Sequence, residues 1–326
     1  RVIALKRRLL ASGDLRQTSG QADLFDERLE SAVKRYQHRL GLTPSGKVNR
    51  RTWRSLNVSA YHRLEQLRIN QVRIRELALK TEGKRHVIVN IPAYEMQAIR
   101  GGRVELHSRV IVGKPHTPTP SIDANIKAVN YLPFWHVPKS IAVRALIPEI
   151  KKDINYLKRE HIRVYSGWGG KEVDPRDVNW WSAQGERYVF RQDYGPFNAL
   201  GLVRIDMPNK DIVYMHDTPL KKLFKYYMRP YSAGCVRVER VLELADWLIA
   251  DDYPDWSASK ADGVINSGEP QTIKLKKHVP VYFVYVTAWA AANGEVLFRE
   301  DIYDRDSRKQ QIVRSDEWDI DNKLSP

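Results

Sequence analysis

One cysteine, Cys235, stands in 326 residues. A single thiol excludes an intramolecular disulfide framework and leaves the compartment's redox state open. A free thiol is a liability in an oxidising compartment unless it has a task. Long apolar runs are also missing. The longest, "VPVYFVYVTAWAAA" from Val279 to Ala292, falls short of the roughly 20 apolar residues a membrane helix needs. Its β-branched and aromatic content predicts a buried strand. No transmembrane segment is expected. Internal repeats and low-complexity blocks are absent, and residues 307–326 read as a polar tail. The sequence begins at Arg1 rather than Met, as expected of a mature or trimmed form, and nothing in it shows a signal peptide.

Acidic residues are scarce relative to basic ones. The net charge is +15, and it is uneven. Residues 1–80 carry 18 Lys and Arg against 7 Asp and Glu, an excess of +11. Such a basic face suits an anionic polymer, with nucleic acid and an acidic cell-wall polymer as the two classes. No base-reading helix stands out, which disfavours nucleic acid as partner.

The remaining composition is that of a folded protein with room for two domains, 42% hydrophobic and 10% aromatic. Leu29, Val33, Tyr36 and Leu40 recur at helical spacing, and Gly41 stops that helix. "TPSGKV" is a turn, and Asn49 is the expected N-cap of a second helix. Residues 60–80 predict a connecting helix packed through Leu64, Leu67, Val72, Ile74 and Leu77. From Arg85 the period becomes two. Strands are expected at 86–91, 94–100 and 103–112, with Gly101-Gly102 as the hairpin turn. Further strands are expected at 187–191, 201–206, 211–215 and 281–288, and a helix at 143–160. Trp168, Trp180 and Trp181 mark a Gly- and Trp-rich stretch over 161–194.

The stretch "YSAGCVRVE" holds the thiol. Val238, Val241, Leu242, Ala245, Leu248 and Ile249 form one apolar face, which predicts a helix starting just after Cys235. A thiol at a helix start would have a lowered pKa. Gly234 leaves room for a substrate carbonyl, and N–H groups at the turn can serve as an oxyanion hole. His216, nineteen residues upstream in "DIVYMHDT", is the candidate base at a strand end.

These residues resemble the L,D-transpeptidases with a YkuD-type catalytic domain. Their signature is a His-x-Thr element followed by Ser-x-Gly-Cys-x-Arg. His216 and Thr218 match the first part, and Ser232, Gly234, Cys235 and Arg237 the second. Ala233 stands where many members have His, as tolerated in the larger branch carrying a peptidoglycan-binding module and a lid. "LPFWHVPKSI" resembles that branch through Pro133, Trp135, Val137, Pro138, Ser140 and Ile141. "GPFNALG", Gly195 to Gly201, resembles its active-site loop. Residues 1–57 resemble the module itself.

The resemblance implies an α+β architecture. A helical peptidoglycan-binding-like module spans 1–57 and a connecting helix 58–84. A mostly β catalytic domain spans 85–306, interrupted by a capping or lid insertion at 142–194. Trp180 and Trp181 would offer apolar surface near the cleft. The implied activity is the formation of 3–3 cross-links between peptidoglycan stem peptides through a cysteine acyl-enzyme, with loss of terminal D-Ala. Catalytic roles fall to Cys235, His216 and Gly234. Substrate-binding roles fall to Tyr214, Arg237, Ser232, Asn198, Gly201, Asp217 and Thr218. A backbone carbonyl near Asp217 would orient the histidine. No metal or cofactor is implied. The partners would be a donor tetrapeptide stem and an acceptor amine, with envelope proteins as other acceptors. The location would be the periplasm or cell envelope of a bacterium, and carbapenems would acylate the thiol. Water as acceptor would make the enzyme an L,D-carboxypeptidase, and a protein lysine would make it an anchoring enzyme. A non-catalytic wall-binding scaffold is the alternative from another class. Papain-like peptidases are disfavoured, because they place Cys before His in the chain.

Overall fold

The computed structural model describes residues 1–17 and 21–306. The tail expected at 307–326 lies outside the described residues. Four helices come first: α1 (Val2–Ala11), α2 (Glu27–Arg39), α3 (Arg50–Leu56) and α4 (Ala60–Thr81). The N-cap at Asn49 forms as expected, with Thr52 N donating to its side chain at 3.0 Å. Gln37 is fully buried among these helices. Its amide donates to Lys47 O and Thr52 Oγ1, each at 2.9 Å, and accepts from Gly46 N at 2.9 Å. That satisfies a buried polar group and fixes the turn between α2 and α3.

The connecting helix α4 packs differently from its apolar pattern. Leu64, Val72 and Ile74 are exposed, and Ile69 and Asn70 are the buried positions. The docking face is mixed: Leu67 packs on the core of the first helices as expected, and polar residues do the rest. Gln66 donates to Thr287 O and Arg299 O, Asn70 exchanges hydrogen bonds with Thr287, and Arg73 reaches Tyr285 O and Asp306. Residues 66, 70 and 73 share one helix face, so a polar stripe docks the helix alongside Leu67 and Ile69.

The strands then follow: β1 (His86–Asn90), β2 (Glu95–Arg100), β3 (Arg103–Gly113) and β4 (Ile122–Tyr131). Gly101 and Gly102 both have positive φ, 55° and 74°, as a tight two-residue hairpin requires. After β4 the chain leaves to build a second sheet. Its strands are β5 (Trp135–His136), β6 (Ile162–Tyr165), β7 (Glu172–Val173) and β8 (Val189–Gln192), in the order β5-β8-β6-β7. The helix expected at 143–160 is broken into α5 (Lys139–Ile141), a π turn at Ala142–Leu146, α6 (Ile147–Lys152) and α7 (Tyr156–Arg159). Pro148 lacks the N–H a regular helix needs there, and the backbone widens one turn earlier. Asp153 is extended and caps Asn155 N, ending α6.

The chain returns through β9 (Val203–Asp206), β10 (Met215–His216), β11 (Pro230–Ser232) and β12 (Val236–Val238). The strand expected at 211–215 shrinks to its end. The Asn209 side chain turns the backbone by binding Met207 O, Val213 O, Asp211 N and Val213 N. Two helices, α8 (Val241–Ile249) and α9 (Ala258–Asn266), precede β13 (Gln271–Val284), and the pair β14 (Ala288–Ala290) and β15 (Val296–Phe298) closes the fold. The strand expected at 281–288 therefore starts ten residues earlier, and α9 was not expected.

The large sheet has the order β11-β3-β12-β10-β9-β4-β13-β1-β2, and β2 also pairs with β3. Eight strands thus close on one another, which removes open edges. An apolar core of residues such as Val89, Ile126, Ile205, Met215, Val236, Val281 and Leu248 fills this unit. The inserted sheet has its own core, including Leu146, Ile150, Val164, Trp180 and Phe190. The first helices share a third core with Ala288 and Phe298. No helix among the described residues is long and apolar enough to cross a membrane.

Candidate active site

Strands β10 and β12 run parallel, with Met215 opposite Val236 and His216 opposite Arg237. Alternation along a strand sends Met215, Val236 and Val238 into the core, where they are fully buried. It leaves Tyr214, His216, Cys235 and Arg237 together on the other face. The Tyr214 and His216 rings meet edge to face at 5.7 Å. Val236 N donates to Tyr214 O at 3.1 Å, which fixes Cys235 beside Tyr214. On the opposite side of β10, Arg204 in β9 pairs with His216.

His216 is buried, and its Nδ1 lies 2.5 Å from Asp217 O. A carbonyl only accepts, so Nδ1 carries the proton and Nε2 is the free acceptor of a neutral ring. Burial, then Arg237, drives the imidazole pKa down to about 3, and Arg204 adds to this. The ring is neutral at physiological pH. The backbone carbonyl holds it, while the Asp217 carboxylate serves elsewhere. That carboxylate accepts from Leu202 N at 3.0 Å and pairs with Lys221. Gly201 makes this possible: φ is +60°, and a Cβ there would lie 2.4 Å from Asp217 Oδ2. Thr218 is buried and caps Leu220 N at 3.2 Å. Asn198 is fully buried and spent on its own loop, donating to Asp193 O and accepting from Leu200 N, each at 2.8 Å.

The thiol departs from expectation. Cys235 precedes a strand, and α8 begins only at Val241. Residues 236–238 are extended because they pair with β10 and β3. The helix dipole therefore does not act on the sulfur. Burial pushes the Cys235 thiol up instead. Hydrogen bonds from Tyr214, through its backbone and its side chain, pull the other way, followed by Arg237 and Arg204. Burial and the nearby thiol likewise raise the Tyr214 phenol. The resting pair is thus a neutral thiol and a neutral imidazole.

The loop carrying the thiol is clamped. Ser232 Oγ donates to Cys235 O at 2.5 Å and accepts from Gly234 N at 3.1 Å. The Gly234 N–H is therefore engaged within the loop. Thr119 Oγ1 donates to Gly234 O at 2.7 Å and accepts from Gly113 N at 2.9 Å. Lys114 N donates to Ser232 O at 3.0 Å. Sequence reasoning missed Thr119, because a lone Thr in "TPTP" carries no pattern. It also missed Arg204, whose place beside His216 depends on strand pairing.

The inserted sheet comes near this face at Trp135, which acts to lower the Tyr214 phenol pKa against the larger rise from burial. The expectation for the other tryptophans splits. Trp180 is 6% exposed, packs on Tyr188 and Phe190, and donates to Pro175 O at 2.8 Å. It belongs to the small core. Trp181 and Trp168 are 79% and 77% exposed, and Trp168 stacks on His136 at 5.2 Å.

Residues 84–265 match the YkuD family, described as the L,D-transpeptidase catalytic domain. Residues 1–56 match the family described as "Putative peptidoglycan binding domain". A curated relative from Haemophilus influenzae, described as "Putative L,D-transpeptidase", is 33% identical over 260 residues. The match covers 79% of this chain and 51% of the relative, so the chain spans about half the relative's length. Among solved structures, the L,D-transpeptidase from Xylanimonas cellulosilytica is similar at 14% identity and a TM-score of 0.28, covering 87% of this chain and 92% of that one. The L,D-transpeptidase from Stackebrandtia nassauensis is similar at 12% identity and a TM-score of 0.27, covering 87% and 90%. The chain belongs to the YkuD family of L,D-transpeptidase catalytic domains, here preceded by a peptidoglycan-binding domain.

Proposed function

We propose that the protein is a cysteine L,D-transpeptidase that forms 3–3 cross-links in peptidoglycan, in the periplasmic part of a bacterial cell envelope. One observation carries the reading. The neutral His216 ring, fixed by the Asp217 carbonyl, shares a strand face with the only thiol of the chain.

His216 Nε2 takes the Cys235 proton as the sulfur attacks the carbonyl carbon of the third stem residue, a diaminopimelate. The tetrahedral adduct collapses, the peptide C–N bond breaks, and the imidazolium gives its proton to the departing amine of D-alanine. A thioester remains on Cys235. The side-chain amine of a second stem attacks it, loses a proton to His216, and forms the new amide. The thiolate leaves and regains its proton from the imidazolium. Each acyl transfer starts and ends with both groups neutral, which suits a buried pair. Arg237 lies beside the reacting groups and can hold substrate charge. The basic first 80 residues hold the enzyme to the anionic wall.

Purified protein incubated with tetrapeptide muropeptides should give cross-linked dimer and free D-alanine by mass spectrometry. Tripeptide without dimer would assign water as acceptor and overturn the transpeptidase reading. No product at all would favour the scaffold. Intact-mass detection of a carbapenem adduct, lost in Cys235→Ala, is a second expected result.

A further inference from the structure

Four arginines contain a side-chain nitrogen that is buried without a hydrogen-bond partner: Arg85, Arg191, Arg204 and Arg237. Arg85 has a carboxylate, Asp251, at 3.0 Å. The other three have none at hydrogen-bonding distance; Arg204 and Arg237 flank the thiol face, and Arg191 lies in the inserted sheet. Arg204 Nη2 is 3.7 Å from Asp206, and Arg191 Nη2 is 4.0 Å from Asp193. Asp193 is instead engaged by Arg163 at 2.9 Å. Arg237 makes no ion pair among the described residues, and both its Nε and Nη1 are unpartnered. A buried N–H without an acceptor is unfavourable, and a bound anion would supply one.

The three come from two structural units. Arg204 and Arg237 flank His216 on β9 and β12. The Arg204 guanidinium also lies over the Tyr214 ring at 5.6 Å. Arg191 belongs to the inserted sheet, where it pairs with His136. Its guanidinium is held between Phe134 at 4.4 Å and Tyr165 at 4.9 Å. His136 links the two units: burial lowers its pKa first, and Arg191 and Arg204 both lower it further. The aromatic seats hold the Arg191 and Arg204 guanidiniums in place while leaving the buried Nε of each uncommitted.

We propose that Arg191 of the inserted sheet joins Arg204 and Arg237 of the barrel in a carboxylate seat across the seam between them. This rests on the transpeptidase reading and adds a substrate requirement to it: the donor stem must present a free carboxylate. Two donor groups share that chemistry, the terminal D-alanine carboxylate and the side-chain carboxylate of the diaminopimelate. The insertion thereby becomes a reader of substrate charge as well as a cover.

The test uses three tetrapeptide donors: the unmodified acid, the C-terminal amide and the diaminopimelate side-chain amide. Wild-type enzyme should show a KM about tenfold or more higher for one amide, and which amide identifies the carboxylate that is read. Arg191→Gln should raise KM for the acid by a similar factor, leave kcat near wild type, and shrink the acid-to-amide ratio. Arg191→Lys should restore part of that ratio. Arg204→Gln should change kcat as well, because Arg204 also acts on His216. Equal kcat/KM for all three donors on wild-type enzyme would overturn the seat while leaving the proposed function standing. So would an unchanged acid-to-amide ratio in Arg191→Gln. No turnover of the acid by wild-type enzyme would overturn the proposed function, and the seat with it. The donor series needs no variant, so it decides the matter even where Arg191→Gln folds poorly.

Discussion

The two faces of the β10–β12 pair use alternate residues of the same short strands and have opposite chemistry. Met215, Val236 and Val238 are fully buried among aliphatic neighbours. Tyr214, His216, Cys235 and Arg237 on the other face carry hydroxyl, imidazole, thiol and guanidinium. Cys235 is flanked by a stiff loop on one side and a core-anchored strand on the other. Reactive groups that must hold a geometry gain it from apolar residues one position away. Changes on one face should therefore alter chemistry without stability, and changes on the other should do the reverse.

The largest effect is expected from Cys235→Ala. Transfer should vanish, while the melting temperature stays near wild type, because no core contact is lost. Muropeptide products and a thermal melt check both halves. Retained transfer would remove the thiol from the mechanism. His216→Ala should lower kcat/KM by about 10²–10⁴ fold, as loss of a general base does. Met215→Ala tests the other face. It removes a buried side chain and should destabilise by about 2–5 kcal/mol in denaturant unfolding. Activity per folded molecule should fall far less than in His216→Ala. A Met215 variant that kept its stability would break the comparison.

This division was partly legible before the structure. The spacing of His216 and Cys235, the Gly101-Gly102 hairpin and the Asn49 cap are local signals, and each survives into the fold. The start of β12 was misread because Val238 continues the helical spacing of Val241 and Leu248. Strand pairing with β10 overrode that period. The stripe of α4 was misread because Gln66, Asn70 and Arg73 look like solvated residues. Their partners Thr287, Tyr285 and Asp306 are more than 200 positions away. Arg204 was invisible for the same reason, since only pairing across strands brings it beside His216.

A smaller effect separates the clamp on α4 from the apolar cores. Asn70→Ala leaves the buried Thr287 N–H without its acceptor, while Thr287 Oγ1 keeps Asp306, and this should destabilise by about 1–3 kcal/mol. An unchanged melt would mean that the polar stripe is ornamental.

The finest test concerns the state of the thiol itself. A cysteine at a helix start would be reactive at neutral pH, whereas Cys235 precedes a strand and is raised by burial. The imidazole is depressed to about 3 and does not supply a resting positive charge beside the sulfur. A thiolate–imidazolium pair is therefore disfavoured across the physiological range. The sign follows for each group. The thiol stays protonated until pH rises past its ordinary value near 8.5, and the imidazole stays neutral until pH falls far below 6.5. Alkylation of free enzyme by iodoacetamide should be slow at pH 7 and still rising with pH above 9. A plateau reached by pH 7 would show a preformed thiolate and overturn the neutral-pair account. The substrate reaction should not follow that steep profile, because His216 removes the proton during attack rather than before it. A cross-linking rate that rises tenfold per pH unit between 6 and 8, in step with alkylation, would show that the histidine does not act as the base.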